Sequence, residues 1–292
     1  MITRFAGRVL AKLLRLSAAR MTSVAEAIEQ HPMLSAEERK ILARNERFRG
    51  IYAGRRAFVV GNGPSLNKIP LERLKCELVF AVNGFASHEI LDTWQPIALA
   101  LTDPVYFERP DTFAAEFART RTRLKDCSFF VPLAYRRAVE RYSLLPLNRC
   151  FYSHMSGSMA RQRIFPVDLT GPVPNSQTVT LFAILLSLYM GCNPIYLVGM
   201  DHDFLATPKN PTHFSSAYES DLSENDKTKI GFQNWTYLQL IDAVKLMFEG
   251  YANLKNVATK RRQIIYNASV GGYLDVFPRV TFDDIFKSNE SR

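Results

Sequence analysis

Cysteine is scarce in this chain. Cys76, Cys127, Cys150 and Cys192 lie far apart, without a C-x-x-C pair. That spacing excludes a zinc or disulfide framework and suits structural thiols in a reducing cytoplasm. No window of 18 residues is uninterruptedly apolar, so nothing here is built to span a bilayer. The two commonest phosphate fingerprints are absent as well. Leu66 stands where the third glycine of a dinucleotide motif would fall, and no Gly-Lys-Ser/Thr follows. There is no internal repeat and no low-complexity segment.

Acidic residues are missing from the first 25 positions, and this absence shapes the charge of the whole chain. Residues 1–56 hold 12 Lys/Arg against 5 Asp/Glu, a balance of +7 out of the net +9. The remainder is close to neutral, which excludes a broad nucleic-acid surface on the folded domain. Ile2, Phe5, Val9, Leu13 and Leu16 follow helical spacing, with Arg4, Arg8, Lys12 and Arg15 between them. Lys12 and Arg15 break any signal-peptide core. A basic amphipathic helix of this kind can lie on an anionic membrane surface; the plainer reading is a packed or partner-binding helix. The sequence divides into a basic helical tail (1–54, helices about 2–20 and 35–48, broken at His31-Pro32) and one α/β domain (55–292). The expected location is the cytoplasm, with peripheral attachment to the inner face of the membrane if the tail binds lipid.

What the domain does have is a series of short apolar runs. Ala57–Val60, Leu78–Val82, Ile97–Leu101, Ile195–Val198 and Ile264–Tyr266 read as parallel strands covered on both faces. Cys150–Ser153 is another candidate. Five of these runs hand over to small polar residues: Gly61-Asn62-Gly63-Pro64-Ser65, Asn83-Gly84, Thr102-Asp103, Gly199-Met200-Asp201-His202-Asp203 and Asn267-Ala268-Ser269. Carboxyl ends of strands are where open α/β sheets bind ligands, and one such ending alone would be an ordinary helix cap. The Gly61–Ser65 turn is expected to expose backbone N–H groups to a nucleotide or phosphate. A helix is expected over Glu108–Asp126, and another over Thr178–Met190, opened by Asn175-Ser176-Gln177 and closed by Gly191. The polar stretch 205–231, with Pro208 and Pro211, reads as a functional loop, often a lid.

The histidines separate by position. His31 and His88 read as structural, and His154 as a residue able to line the cleft. His202 sits between two aspartates, and His213 lies in the suspected lid. An imidazole is the natural base for activating a sugar hydroxyl near neutral pH. Asp201 is either a strand-end cap or, with Asp103 and Asp203, a ligand for Mg²⁺, which prefers carboxylates and substrate phosphates.

These same residues, in order, resemble the core of bacterial family 42 sialyltransferases. They resemble still more the related group of motility accessory factors and 6-hydroxymethylpterin diphosphokinase-like proteins. The likeness spans about residues 57–286, carried by Gly61–Leu66, the Asn83 turn, Thr102-Asp103, Ile195–Asp201, His213-Phe214 and Asn267–Phe277. It implies a Rossmann-like, mostly parallel sheet with helices on both faces. It also implies a glycosyltransferase that moves a sugar, CMP-linked nonulosonates favoured, onto a polysaccharide or glycolipid precursor. Asn62 and Asn83 would contact the CMP part, and His213 would be the base. Asp103 replaces an asparagine and Asp203 a tyrosine of that pattern, which leaves room for a metal.

The candidate set is therefore His213, Asp201 and His202 for catalysis. For the nucleotide it is Gly61, Asn62, Gly63, Ser65, Asn83, Asp103, Ser176 and Asn267. No cofactor is required; Mg²⁺ enters, on Asp103 and Asp201, if the chain is instead an ATP-dependent pyrophosphokinase. A third reading is a non-catalytic nucleotide-binding protein at the membrane face.

Overall fold

A computed structural model describes residues 34–206 and 235–287. The tail helix at 2–20, the break at His31-Pro32, His213 and all but the first two residues of the 205–231 loop fall outside them. The chain divides into two units, residues 1–39 and 40–292. Helix α1 (Ala36–Ala43) opens on a reciprocal Ser35–Glu38 capping box. A 3₁₀ turn over Arg44–Phe48 follows, in agreement with the helix expected over 35–48.

Eight strands make one all-parallel sheet in the order β6-β5-β4-β3-β2-β1-β7-β8. They are β1 (Ala57–Val60), β2 (Leu78–Val82), β3 (Ala98–Ala100), β4 (Ser128–Pro132), β5 (Cys150–Ser158), β6 (Pro172–Asn175), β7 (Ile195–Val198) and β8 (Ile265–Asn267). The expected apolar runs all became strands. Every residue of β1 and β2 is buried, as two covered faces require. Alternate residues build the larger core: Ala57 and Val59, Phe80 and Val82, Phe130, Phe151, Ile195 and Leu197 share one face. On the other face Phe58 stacks with Tyr196 and Phe286.

The expected single helix over Glu108–Asp126 is two pieces, α2 (Pro104–Glu108) and α3 (Ala114–Arg123). Asp103 caps α2, starting it four residues earlier than expected, and Arg109, with φ −132° and ψ 57°, ends it. A short helix α4 (Arg136–Arg141) precedes β5. Helix α5 (Val179–Tyr189) matches the expected apolar helix and is buried almost throughout, packed against β1, β2 and β3 and beneath α6 (Tyr237–Lys260). Gly191, at φ +83°, closes it as expected. Its N-cap, however, is Thr178, whose side chain makes no capping bond, while Asn175 belongs to β6. A last turn, α7 (Asp284–Lys287), ends the described chain.

The connectivity fixes where a site can form. The chain steps from β1 outward to β6, then returns through α5 to β7, on the other side of β1. The order of strands reverses between β1 and β7, and at such a switch point the loops diverge and leave a crevice at the carboxyl edge.

Candidate nucleotide site at the carboxyl edge

Because all eight strands are parallel, the Gly61, Asn83, Asp103, Asp201 and Asn267 segments emerge at one edge of the sheet. The loops after β1 and β7 stay bonded past the end of the ladder. Gly61 N donates to Val198 O at 2.8 Å and Gly63 N to Gly199 O at 3.0 Å. Ser65 donates from both its backbone N (3.1 Å) and its Oγ (2.8 Å) to the Asp201 carboxylate. The glycines serve this approach: a Cβ on Gly63 would lie 1.9 Å from Asp201 Oδ2.

The turn is therefore not the open nest of N–H groups the sequence suggested. Its donors at 61, 63 and 65 are engaged by the β7 loop, because two strands meeting at a switch point bring donor and acceptor loops together. Gly61, Gly63 and Ser65 shape the site, and these hydrogen bonds run within the protein. Asp201 is correspondingly a strand-end brace. Burial pushes its carboxyl pKa up, against the Ser65 hydrogen bonds that hold it down.

What remains for a ligand is a set of side-chain oxygens. Asn62 donates through Nδ2 to Val82 O at 3.0 Å, which fixes its amide across the β1 and β2 ends and leaves Oδ1 buried, without a partner among the described residues. Asn83, held at φ +41°, also has a buried, unpartnered Oδ1, and Ser176 a buried, unpartnered Oγ. A buried acceptor left unsatisfied costs about 1–3 kcal/mol, so these oxygens are the polar atoms of this edge with capacity to accept from a ligand. Helix α5 adds a positive end. It begins at this edge over β1–β3, with no side chain capping its first N–H groups.

Asp103 and Asn267 have other duties. Asp103 Oδ1 accepts from Val105 N at 3.2 Å, and burial raises its pKa. Asn267 spends its amide within its own loop, Nδ2 on Leu274 O (2.7 Å) and Oδ1 on Ser269 N (2.9 Å). Asp103 and Asp201 follow strands three ladder steps apart, about 14 Å. Among the described residues no group of three His, Cys, Asp or Glu side chains could hold a metal ion.

His202 sits at the end of β7 in the left-handed region, φ +48°. Its Nε2 pairs with Tyr251 Oη at 2.8 Å, and that hydroxyl meets Thr180 Oγ1. The result is a buried relay from the site edge through α6 to the start of α5. Burial drives the imidazole pKa down to about 4, so it is neutral at pH 7. Sequence reading missed Tyr251 and Thr180. The signal available was the spacing Leu240, Val244, Met247, Tyr251, Leu254, Ala258, an amphipathic stripe with a Thr236–Gln239 capping box. His88 is structural as expected, accepting from Ile90 N, and His154 lies within β5.

No protein-family model matches the chain, and no curated protein matches it in sequence. Among solved structures, the sialyltransferase CstII of Campylobacter jejuni in complex with cytidine-5'-monophosphate matches at 11% identity. That match has a TM-score of 0.44 and covers 78% of this chain and 86% of that one. CstII with CMP-3FNeuAc matches at 12% identity and TM-score 0.46, over 77% and 86% of the two chains. CST-II with a trisaccharide acceptor and CMP matches at 13% and 0.42, over 78% and 86%.

Proposed function

We propose that this chain is a glycosyltransferase that moves a sugar from a nucleotide-linked donor to a saccharide hydroxyl. The observation that carries the reading is the pair of buried, unpartnered acceptors, Asn62 Oδ1 and Asn83 Oδ1, beside the β1–β7 switch point and the start of α5. Acceptors of this kind take the hydroxyls of a ribose or the amine of a base, and a helix N-terminus takes a phosphate. A nucleoside monophosphate ester offers all three. The motif resemblance favours CMP as that nucleotide, a nonulosonic or related acid as the sugar, and a polysaccharide or glycolipid precursor as acceptor.

In the displacement, a base removes the acceptor hydroxyl proton, the oxygen attacks the anomeric carbon, and the bond to the nucleotide phosphate breaks. His213 is the base by resemblance; His202 is neutral at pH 7, but the burial that lowers its pKa opposes its protonation and its Nε2 is already paired with Tyr251. The helix end stabilises the leaving phosphate electrostatically. The alternative reading is an ATP-dependent pyrophosphokinase with Mg²⁺ on Asp103 and Asp201, carboxylates that follow strands three ladder steps apart.

A thermal-shift panel of CMP, CDP, UDP, GDP and ATP, each with and without Mg²⁺, tests the proposal. A selective rise in melting temperature with CMP, unaltered by Mg²⁺, is expected, since a ligand that binds only the folded state stabilises it. Selective stabilisation by ATP with Mg²⁺ would replace the reading with the pyrophosphokinase.

A further inference from the structure

The opposite, amino edge of the sheet carries a surface that the carboxyl-edge chemistry does not use. Three turns meet there: 49–55 before β1, 189–194 before β7, and 260–264 before β8. Hydrogen bonds stitch them into one platform. Gly50 N donates to Tyr189 O and Gly54 N to Gly191 O, both at 3.0 Å, and Asn193 N donates to Arg55 O at 2.8 Å. Asn193 Nδ2 reaches Arg262 O at 3.3 Å, and Asn193 Oδ1 accepts from Ile264 N at 2.9 Å.

Arg55, Lys260, Arg261 and Arg262 are exposed on this platform, and none is in an ion pair with an acid among the described residues. Arg49 beside them is matched by Glu46 and Asp168. Arg261 is the most tethered of the four, its Nε on Gln263 Oε1 at 2.8 Å and its Nη2 on Leu188 O at 3.4 Å, and burial, then the nearby Arg49 charge, lowers its pKa. Two aliphatic side chains stand among the cations in open solvent, Ile51 at 53% exposure and Ile264 at 49%. Next to Ile264 a cavity of about 380 Å³ is lined by Arg262 and by Lys255, whose Nζ gives one of its donors to Val276 O at 2.7 Å, together with Ile265, Phe277 and Pro278.

We propose that this amino edge docks on an anionic lipid surface, with Ile51 and Ile264 entering the headgroup boundary and the Lys255–Arg262 cavity taking a headgroup phosphate. Unpaired cations interspersed with exposed aliphatic side chains fit that boundary, where apolar burial and electrostatic attraction act together. A nucleic acid would call for aromatic stacking platforms, and the one aromatic side chain of the 49–55 turn, Tyr52, lies under the Arg55 guanidinium. The inference is independent of what the carboxyl edge binds, and docking here leaves that edge facing water.

The test compares the full chain with an Arg55→Gln, Lys260→Gln, Arg262→Gln variant in sedimentation with vesicles of phosphatidylcholine containing 30% phosphatidylglycerol. Each near-surface cation multiplies partitioning about five-fold, so the variant is expected to bind about 100-fold more weakly. Binding equal to that of the parent overturns the proposal. A second readout covers a variant that folds poorly: Ile264→Trp fluorescence is expected to be quenched by brominated lipid beyond the parent's signal, and no added quenching overturns it. A parent chain that binds polyglutamate but not vesicles would assign the face to an acidic protein instead.

Discussion

Asn62 and Asn83 each carry a buried side-chain oxygen with no hydrogen-bond partner among the described residues, and each can therefore accept from a ligand at this edge. Asn62→Ala is expected to weaken nucleotide binding by about 1–3 kcal/mol, read by calorimetric titration. An unchanged dissociation constant would remove Asn62 from the site. His202 makes a different prediction. Its folded pKa of about 4 lies below the ordinary value of 6.5, so between those values the unfolded chain binds more protons. The stability this histidine contributes is therefore present above pH 6.5 and lost as pH falls through about 4, on the order of 3 kcal/mol in all. Urea unfolding of wild type and His202→Phe at pH 7 and pH 5 checks it. The wild type should lose more stability on acidification than the variant, and equal losses would mean that His202 is not buried neutral.

At the scale of elements, the joined β1 and β7 loops hold the site. Gly63→Ala places a methyl against Asp201 and the Gly199 carbonyl, and should cost about 1–3 kcal/mol or more by overpacking. Gly171→Ala, with open space around it, is the control, and equal urea midpoints for the two would contradict the close approach. β1, β2, β3 and β7 were legible because burial on both faces forces continuous apolar runs such as Phe58-Val59-Val60 and Val79-Phe80-Ala81, whereas the interior strand β4 (Ser128–Pro132) was not among the expected runs. β6 was not, since Pro172-Val173-Pro174-Asn175 carries two prolines. An edge strand accommodates them where a central one would lose ladder bonds. The polar strand ends were legible as a set, but not which atoms are free. That depends on register: pairing β1 with β7 engages the N–H groups of 61 and 63 and leaves the Asn62 and Asn83 oxygens. The His202–Tyr251–Thr180 relay joins three distant segments, a contact that no local spacing encodes.

At the scale of the molecule, one parallel sheet separates two surfaces. Its carboxyl edge gathers unsatisfied acceptors and a helix N-terminus, and its amino edge gathers unpaired cations and exposed aliphatic side chains. Among the described residues no helix is long and apolar enough to cross a membrane. A transferase of surface saccharides with this division would meet lipid at one edge and its soluble donor at the other. The most direct measurement follows CMP release from a CMP-linked nonulosonate, with and without a saccharide acceptor, in EDTA. The account predicts acceptor-dependent release that His213→Ala lowers about 10²–10⁴-fold, the usual worth of a general base. No release from any nucleotide sugar, alongside AMP formed from ATP and Mg²⁺ with a pterin alcohol, would contradict it.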